Sequence, residues 1–289
     1  MGIVLVLALI WSICWFVALG IAKERFAAER EILANQGAAL SCTQEDWGGY
    51  PFHLEYSCRS PVATIVGRAE LRSSNLLLVA LAYAPWQIAA LLDGPTTVSG
   101  LGLSPTKVDH QRVFAAITFK AEEVPTVSLE LPALSVSGFG KLKQLMLSTR
   151  PSPTEGMDLA ITITGLEYQS PDHVPLTVDS GSLLSSVVQD QTLKVQKFEL
   201  QQGTLRYWGS GTLRLDSNHR ITGKLDTETN DISGLLAVLA PHLTLSAAQI
   251  SNLKTMLGLL GNAAKAPVIA QDGALYIGPF KIADLTAIY

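Results

Sequence analysis

The chain has 289 residues, a net charge of −4 and only 16% charged side chains against 48% hydrophobic ones. No basic run is present that would neutralise several phosphates, so nucleic-acid binding is excluded as a function class. The length allows one large domain or two smaller ones.

Residues 1–22 carry no charged side chain, and Ser12 is the only clearly polar residue between Ile3 and Ala22. At about 1.5 Å rise per residue, a helix of this length spans about 30 Å, the hydrocarbon thickness of a bilayer. The stretch reads as a transmembrane anchor. Gly20-Ile21-Ala22 would also serve as a small-x-small cleavage site. However, the apolar run is longer than the roughly 7–15 residues of a signal-peptide core and has no basic residue ahead of it. It continues into Lys23–Arg30, where bases and acids alternate and Phe26, Ile32 and Leu33 supply a weak apolar side. Residues 23–37 are therefore expected as a juxtamembrane helix, with Gly37 as its left-handed cap.

Cys42 and Cys58 flank Trp47-Gly48-Gly49-Tyr50-Pro51 and are equidistant from Tyr50. A hairpin turning about Tyr50 places them opposite each other, within disulfide range. A bridge across a loop of this size contributes about 3 kcal/mol in the chain-entropy model and implies an oxidising compartment. Lys23, Arg25 and Arg30 follow the span and, by the positive-inside rule alone, place the body in the cytoplasm. The cysteine pair points the other way and is given more weight.

Val62–Leu71 and Asn75–Tyr83 read as strands, the second apolar on both faces. Residues 85–93 read as a short helix opened by Pro85 and ended by Asp93-Gly94-Pro95. Strands are expected at Arg112–Lys120, Thr126–Val136, Lys141–Thr149 and Asp158–Thr164, with the Pro-rich 151–156 stretch as a minor boundary. Ser182–Asp190 is expected as a short helix. Residues 192–228 read as a meander, with a bulge where the alternation slips between Val195 and Phe198. Ser246–Leu260 is the clearest helix. Ser246 and Gln249 match a capping box, and Ile250, Leu253, Leu257 and Leu260 form one stripe. Strands around Leu275–Ile277 and Lys281–Tyr289 close the chain. The fold class is thus mainly β with a few helices (α+β). The anchor precedes a β-rich extracytoplasmic domain over 38–289, an elongated, curved, mostly antiparallel sheet with amphipathic helices packed on it.

Three strings resemble one family. Gly49-Tyr50-Pro51-Phe52-His53-Leu54-Glu55-Tyr56-Ser57-Cys58 is similar to the hairpin signature of the membrane-anchored bacterial family called domain of unknown function 2125. Ala82-Tyr83-Ala84-Pro85-Trp86, ending in Leu92-Asp93-Gly94-Pro95, is similar to its second signature. Asp272–Phe280, with Gly278 and Pro279, resembles its C-terminal strand pair. The resemblance implies an inner-membrane anchor with a periplasmic body. It transfers no active site.

His53, His110, His173, His219 and His242 are scattered, without metal-ligand spacing. The glycine pairs around Phe139 and Ser210 lack the rest of a phosphate loop. No catalytic residue, metal site or cofactor is expected, and the protein reads as a non-enzyme. The expected partners are the membrane, lipid and envelope proteins. The sheet has an apolar face, and its layout is similar to AsmA-like bridge proteins and lipopolysaccharide-transport β-folds, an analogy at the level of fold. The leading expectation is binding or transfer of lipid acyl chains, with Ile250, Leu253, Leu257 and Leu260 as the candidate groove. A scaffold for an envelope complex is the alternative.

Overall fold

A computed structural model describes residues 2–66, 68–100, 103–120, 124–152, 156–170, 173–188, 192–242, 246–258, 264–277 and 280–287. The architecture is mainly antiparallel β-sheet with three α-helices among the described residues, the class that the sequence predicts. The first helix, α1 (Gly2–Asn35), runs through the Ala22/Lys23 boundary without a break. The segments expected as anchor and juxtamembrane helix are therefore one rod about 50 Å long. It is the one helix among the described residues long and apolar enough to cross a membrane. Gly37, at φ +83°, ends it, and the Gln36 and Gly37 N–H groups turn back to the carbonyls of Leu33 and Ala34.

The chain forms two compact units, residues 1–122 with 127–137 and residues 123–126 with 138–289. In the first, α1 is followed by β1 (Ala38–Ser41), β2 (Gln44–Gly48), β3 (His53–Arg59), β4 (Val62–Ile65), β5 (Ala69–Arg72), β6 (Asn75–Leu81), β7 (Ala84–Asp93), β8 (Thr96–Gly100), β9 (Leu103–Asp109), β10 (Val113–Thr118) and β11 (Thr126–Val136). These pair in two antiparallel ladders. One is β2–β3–β6–β7–β10. The other is β1–β4–β5–β8–β9–β11.

The second unit is a meander in which each strand pairs with the next: β12 (Gly140–Pro151), β13 (Met157–Ser170), β14 (His173–Val188), β15 (Thr192–Gln202), β16 (Leu205–Leu215), β17 (Ile221–Thr229), β18 (Ala264–Gln271), β19 (Ala274–Ile277) and β20 (Phe280–Asp284). The expected bulge lies where the pattern slipped, between Val195 and Phe198. The Pro-rich 151–156 stretch joins β12 to β13, whose register runs out to Pro151 opposite Met157.

Two expected helices are strands. Residues 85–93 lie in β7, hydrogen-bonded to β6 on one edge and β10 on the other. Residues 182–188 lie in β14, between β13 and β15. In both, apolar residues at helical spacing mimic an amphipathic helix. Helix propensities differ by only a few tenths of a kcal/mol per residue, and pairing on both edges outweighs them. Val62–Leu71, read as one strand, folds as the β4–β5 hairpin.

Between β17 and β18 lie α2 (Ile232–Leu239) and α3 (Ala247–Gly258). The α3 capping box forms as expected: Ser246 N–H donates to Gln249 Oε1 at 2.8 Å, and Gln249 N–H to Ser246 Oγ at 3.3 Å. Helix α2 was not expected. Its cap is present in the sequence, since Asp231 accepts from Gly234 N–H at 3.0 Å. Its body is apolar nearly all round, which hides the period. Ile232, Leu236 and Leu253 form a buried cluster, backed by Ala266, Ile277 and Phe280 from the sheet. Leu253, on α3, is 0% exposed.

Truncating so buried a leucine removes its contacts and leaves a cavity. Leu253→Ala is expected to lower stability by about 2–5 kcal/mol. Urea unfolding checks this, and a midpoint matching the parent protein contradicts the placement.

Candidate functional site

Strand β3 alternates strictly. Leu54, Tyr56 and Cys58 are buried, and His53, Glu55 and Ser57 point to the other face. Cross-strand register extends the buried face sideways: Leu54 stands opposite Ala80, which stands opposite Ile88, while Tyr56 stands opposite Leu78 and then Ala90. Helix α1 covers this face.

Two aromatic clasps hold the helix down. At one end, Trp15 is 5% exposed and its indole N–H donates to the His53 carbonyl at 3.0 Å. Trp15 also meets Tyr50 edge-on at 5.3 Å, and Phe16 stacks on the same ring at 6.0 Å. Trp11 Nε1 donates to the Pro51 carbonyl at 2.9 Å, and the Ser12 and Tyr50 hydroxyls lie 2.7 Å apart. At the other end, Phe26 packs on Tyr56 at 4.5 Å and on Trp47 at 5.6 Å. One turn further on, Arg30 bonds Glu45 at 2.9 Å and the Leu40 carbonyl at 2.8 Å.

Between the clasps the helix presents Ala18 and Ala22 to a face whose central row carries Ala80. Short side chains on both sides leave a gap. The result is a cleft of about 510 Å³, walled by Ala18, Ile21 and Ala22 above and Leu54, Leu78 and Ile88 below. Its lining is apolar apart from Arg25 and Glu29 on α1 and the polar ends of Tyr56 and Trp47. Burial pushes the Tyr56 phenol up to about 12, the nearby Glu45 charge adds to this, and Arg30 opposes it.

Behind Tyr56 the disulfide forms. Cys42 and Cys58 are bonded with their Cα atoms 5.4 Å apart. The predicted geometry needs one correction. Glu45, not Cys42, stands opposite Cys58, because the hairpin is centred between Pro51 and Phe52 rather than on Tyr50. Cys42 lies in the corner between β1 and β2, so the bond ties that corner to β3.

The family-motif residues divide by role. Gly49 adopts φ +97°, and a side chain there would collide with the His53 carbonyl. A side chain on Gly94 would collide with the His110 carbonyl. Asp93 receives Arg112 at 2.6 Å, which holds its carboxyl below the usual range. Pro51 and Pro95 both follow cis peptide bonds. These residues shape turns. Tyr50, Phe52 and Tyr83 are instead exposed, and Pro85 lines the cleft. Gly278 and Pro279 lie outside the described residues.

The stripe named as a candidate groove sits elsewhere. Leu253 is in the closed cluster under α2, and Ile250 is half-buried. Leu260 and the Leu257 side chain lie outside the described residues. The space beneath these helices is about 30 Å³, room for little more than a water. Beside it, Leu176, Leu200, Leu205 and Val238 line a cleft of about 130 Å³. A larger hollow of about 360 Å³ lies over β12–β15, lined by Arg150, Asp158, Leu184 and Ser185. The Ser185 hydroxyl is buried there without a partner among the described residues.

The cleft under α1 was not found by sequence reasoning, although a signal existed. Trp11, Trp15, Ala18, Ala22, Phe26 and Glu29 recur at four- and three-residue steps, which is one helix face. In a helix apolar all round, that face differs by side-chain size rather than by hydrophobicity.

The model of a bacterial family described as an uncharacterized protein conserved in bacteria, domain of unknown function 2125, matches residues 15–286, and the chain belongs to that family. No curated protein and no solved structure matches the chain.

Tyr56 supplies a pH test. Its folded pKa of about 12 lies above the ordinary value of 10.0. The stability from the buried neutral phenol is therefore complete below about pH 10 and is lost as pH rises towards 12. In a phenolate absorbance titration, Tyr56→Phe is expected to remove one group from the late part of the curve. Loss of a group titrating near pH 10 contradicts the burial.

Proposed function

We propose that this member of the family is a single-pass protein of the bacterial inner membrane, with its body in the periplasm, whose first unit holds a lipid acyl chain in the cleft under α1. The carrying observation is the cleft itself: about 510 Å³ of apolar space beside the only described helix able to span a bilayer. Pockets of this volume fall in the range of small-ligand sites. An acyl chain matches the wall chemistry, and Arg25 at the rim matches an anionic headgroup.

Three features support the anchored, extracytoplasmic reading. The helix is an integral part of the first unit: cleavage after Ala22 would strip Trp15, Ala18 and Ile21 from the Leu54–Ala80–Ile88 row. The Cys42–Cys58 disulfide fits an oxidising compartment. The family match begins at residue 15, inside the helix.

The role is non-catalytic in this proposal. The carboxyls held below their usual range answer to structural partners. Ser186 and Arg150 hold Asp158, Lys197 and Arg206 hold Glu199, and the Arg220 N–H holds Asp216. These contacts brace neighbouring strands and a turn and present no free acid or base to a substrate.

Two experiments test the proposal. Alkaline phosphatase fused after Tyr289 is expected to be active, and a cytoplasmic reporter at the same point inactive; the reverse pattern overturns the orientation. Ala80→Trp fills the cleft from the sheet side. With the protein in detergent, binding of a fluorescent fatty acid is expected to weaken about ten-fold, a change of about 1.4 kcal/mol. The melting transition should stay in place. Unchanged binding by a folded variant, or no binding by the parent protein, rules out the cleft.

A further inference from the structure

The end of the first unit that meets α1 is unusually aromatic. The turn Gly49–Phe52 and the turn Ala82–Tyr83 lie side by side, joined by the Ala82 N–H to the Phe52 carbonyl at 3.0 Å. Phe119 N–H donates to the Trp86 carbonyl at 2.9 Å, which brings the end of β10 to the same edge. Tyr50, Phe52, Tyr83, Trp86 and Phe119 there are between 45% and 64% exposed. Neither turn carries a charged side chain. His53, whose Nε2 lies 3.2 Å from Glu55 Oε2, follows the first turn on the opposite face of β3, and Lys120 follows Phe119. Large exposed rings in one uncharged patch are costly in water. The backbone needs of the two turns explain Gly49, but not the rings.

The helix fixes where this patch lies. It is bonded to Trp11, Ser12 and Trp15. Those residues lie eight to twelve positions before Lys23, where charge begins, hence about 12–18 Å along the helix from it. The headgroup layer of a bilayer is only about 5–8 Å thick on each side. A helix whose Lys23 sits at the outer, wet edge of the headgroups therefore carries these turns through that layer, and their rings meet the top of the acyl region. Trp and Tyr side chains favour that boundary, where one edge of the ring is apolar and the other wet.

We propose that the two turns, with Trp86 and Phe119, form a membrane-seated foot that enters the lipid–water boundary of the bilayer beside the span. The occupant of the aromatic patch is the lipid surface itself. This rests on the anchored reading of α1 but not on acyl binding in the cleft. It gives the cleft an entrance, since Ala82 of the foot and Pro85, next to Trp86, line the cleft. A chain would then pass from bilayer to cleft without crossing water.

The test uses the full-length protein in nanodiscs of phosphatidylethanolamine and phosphatidylglycerol. Cys14→Ser removes the one free thiol, and the Cys42–Cys58 bond stays oxidised. Single cysteines at Phe52→Cys and Tyr83→Cys carry an environment-sensitive fluorophore. Val6→Cys marks the span, and Arg72→Cys marks the unit beyond the Asn75 end of β6. Labels at 52 and 83 are expected to be blue-shifted and quenched several-fold more by lipids spin-labelled high on the acyl chain than the label at 72. The label at 6 should be quenched most by deep spin labels. If 6 is quenched while 52 and 83 behave like 72, the foot is wrong and the span stands. If 6 is also unquenched, the anchor fails and takes the foot with it. A blue shift at 52 and 83 without lipid quenching means that protein covers the patch, which also overturns the proposal.

Discussion

The seating of α1 on the Leu54–Ala80–Ile88 row is the contact on which the first unit depends. A helix apolar enough to span a membrane need have no contact with the body that follows it. Here the same helix supplies the cover for β3, β6 and β7. Without it, Leu54, Tyr56 and the aliphatic side chains of β6 would face water across the middle of the ladder. Burial at about 25 cal/mol per Å² makes that exposure costly. The cleft follows from the same contact. Aromatic rings set the spacing at both ends, and alanines between them are too short to fill it. A helix with leucine at 18 and 22 would close the gap and leave only a packed interface.

How much of this was legible depends on whether the signal was local. The N-terminal apolar helix, the Gly37 cap, the α3 capping box and the 192–228 meander are each written within a few turns of chain, and each formed. The disulfide was legible as a pair, but its geometry was not. Sequence symmetry about Tyr50 placed Cys42 in a strand, whereas the real turn centre lies between Pro51 and Phe52 and leaves Cys42 in a corner. Strands β7 and β14 were misread because their apolar residues fall at helical spacing. What makes them strands is a neighbour on each edge, β6 and β10 for β7 and β13 and β15 for β14, which lies outside the segment being read. The cleft needed the same non-local information: only the register of β3, β6 and β7 shows which alanine faces which.

The second unit shows the other use of an apolar helix. Helices α2 and α3 bury Ile232, Leu236 and Leu253 over the last strands and leave space for little more than a water. Both α2–α3 and α1 cover sheet faces in their own units, but they differ in the size of the residues set against the sheet. Leucine and isoleucine fill the space, and alanine flanked by tryptophan and phenylalanine does not. Hydrophobic patterning alone made the α3 stripe the more attractive groove. Side-chain volume explains why the larger apolar cavity lies under the helix that patterning had assigned wholly to the membrane.

The polar residues inside the apolar span point to the same arrangement. Two indole N–H groups and a hydroxyl, on Trp11, Trp15 and Ser12, are expensive in hydrocarbon unless each has an acceptor. Ser12 can turn inward, and its hydroxyl bonds the Ala8 carbonyl at 2.7 Å, the usual refuge of a serine in a membrane helix. An indole cannot reach its own backbone in this way. Both instead take carbonyls of the Gly49–His53 turn, Pro51 and His53. A turn is where carbonyls are left without a ladder partner, so each side supplies what the other lacks. Because the acceptors are fixed to β3, satisfying the indoles also fixes the rotation of the helix about its axis. The face with Ala18 and Ala22 is then turned to the sheet, and the cleft is aimed before any ligand arrives.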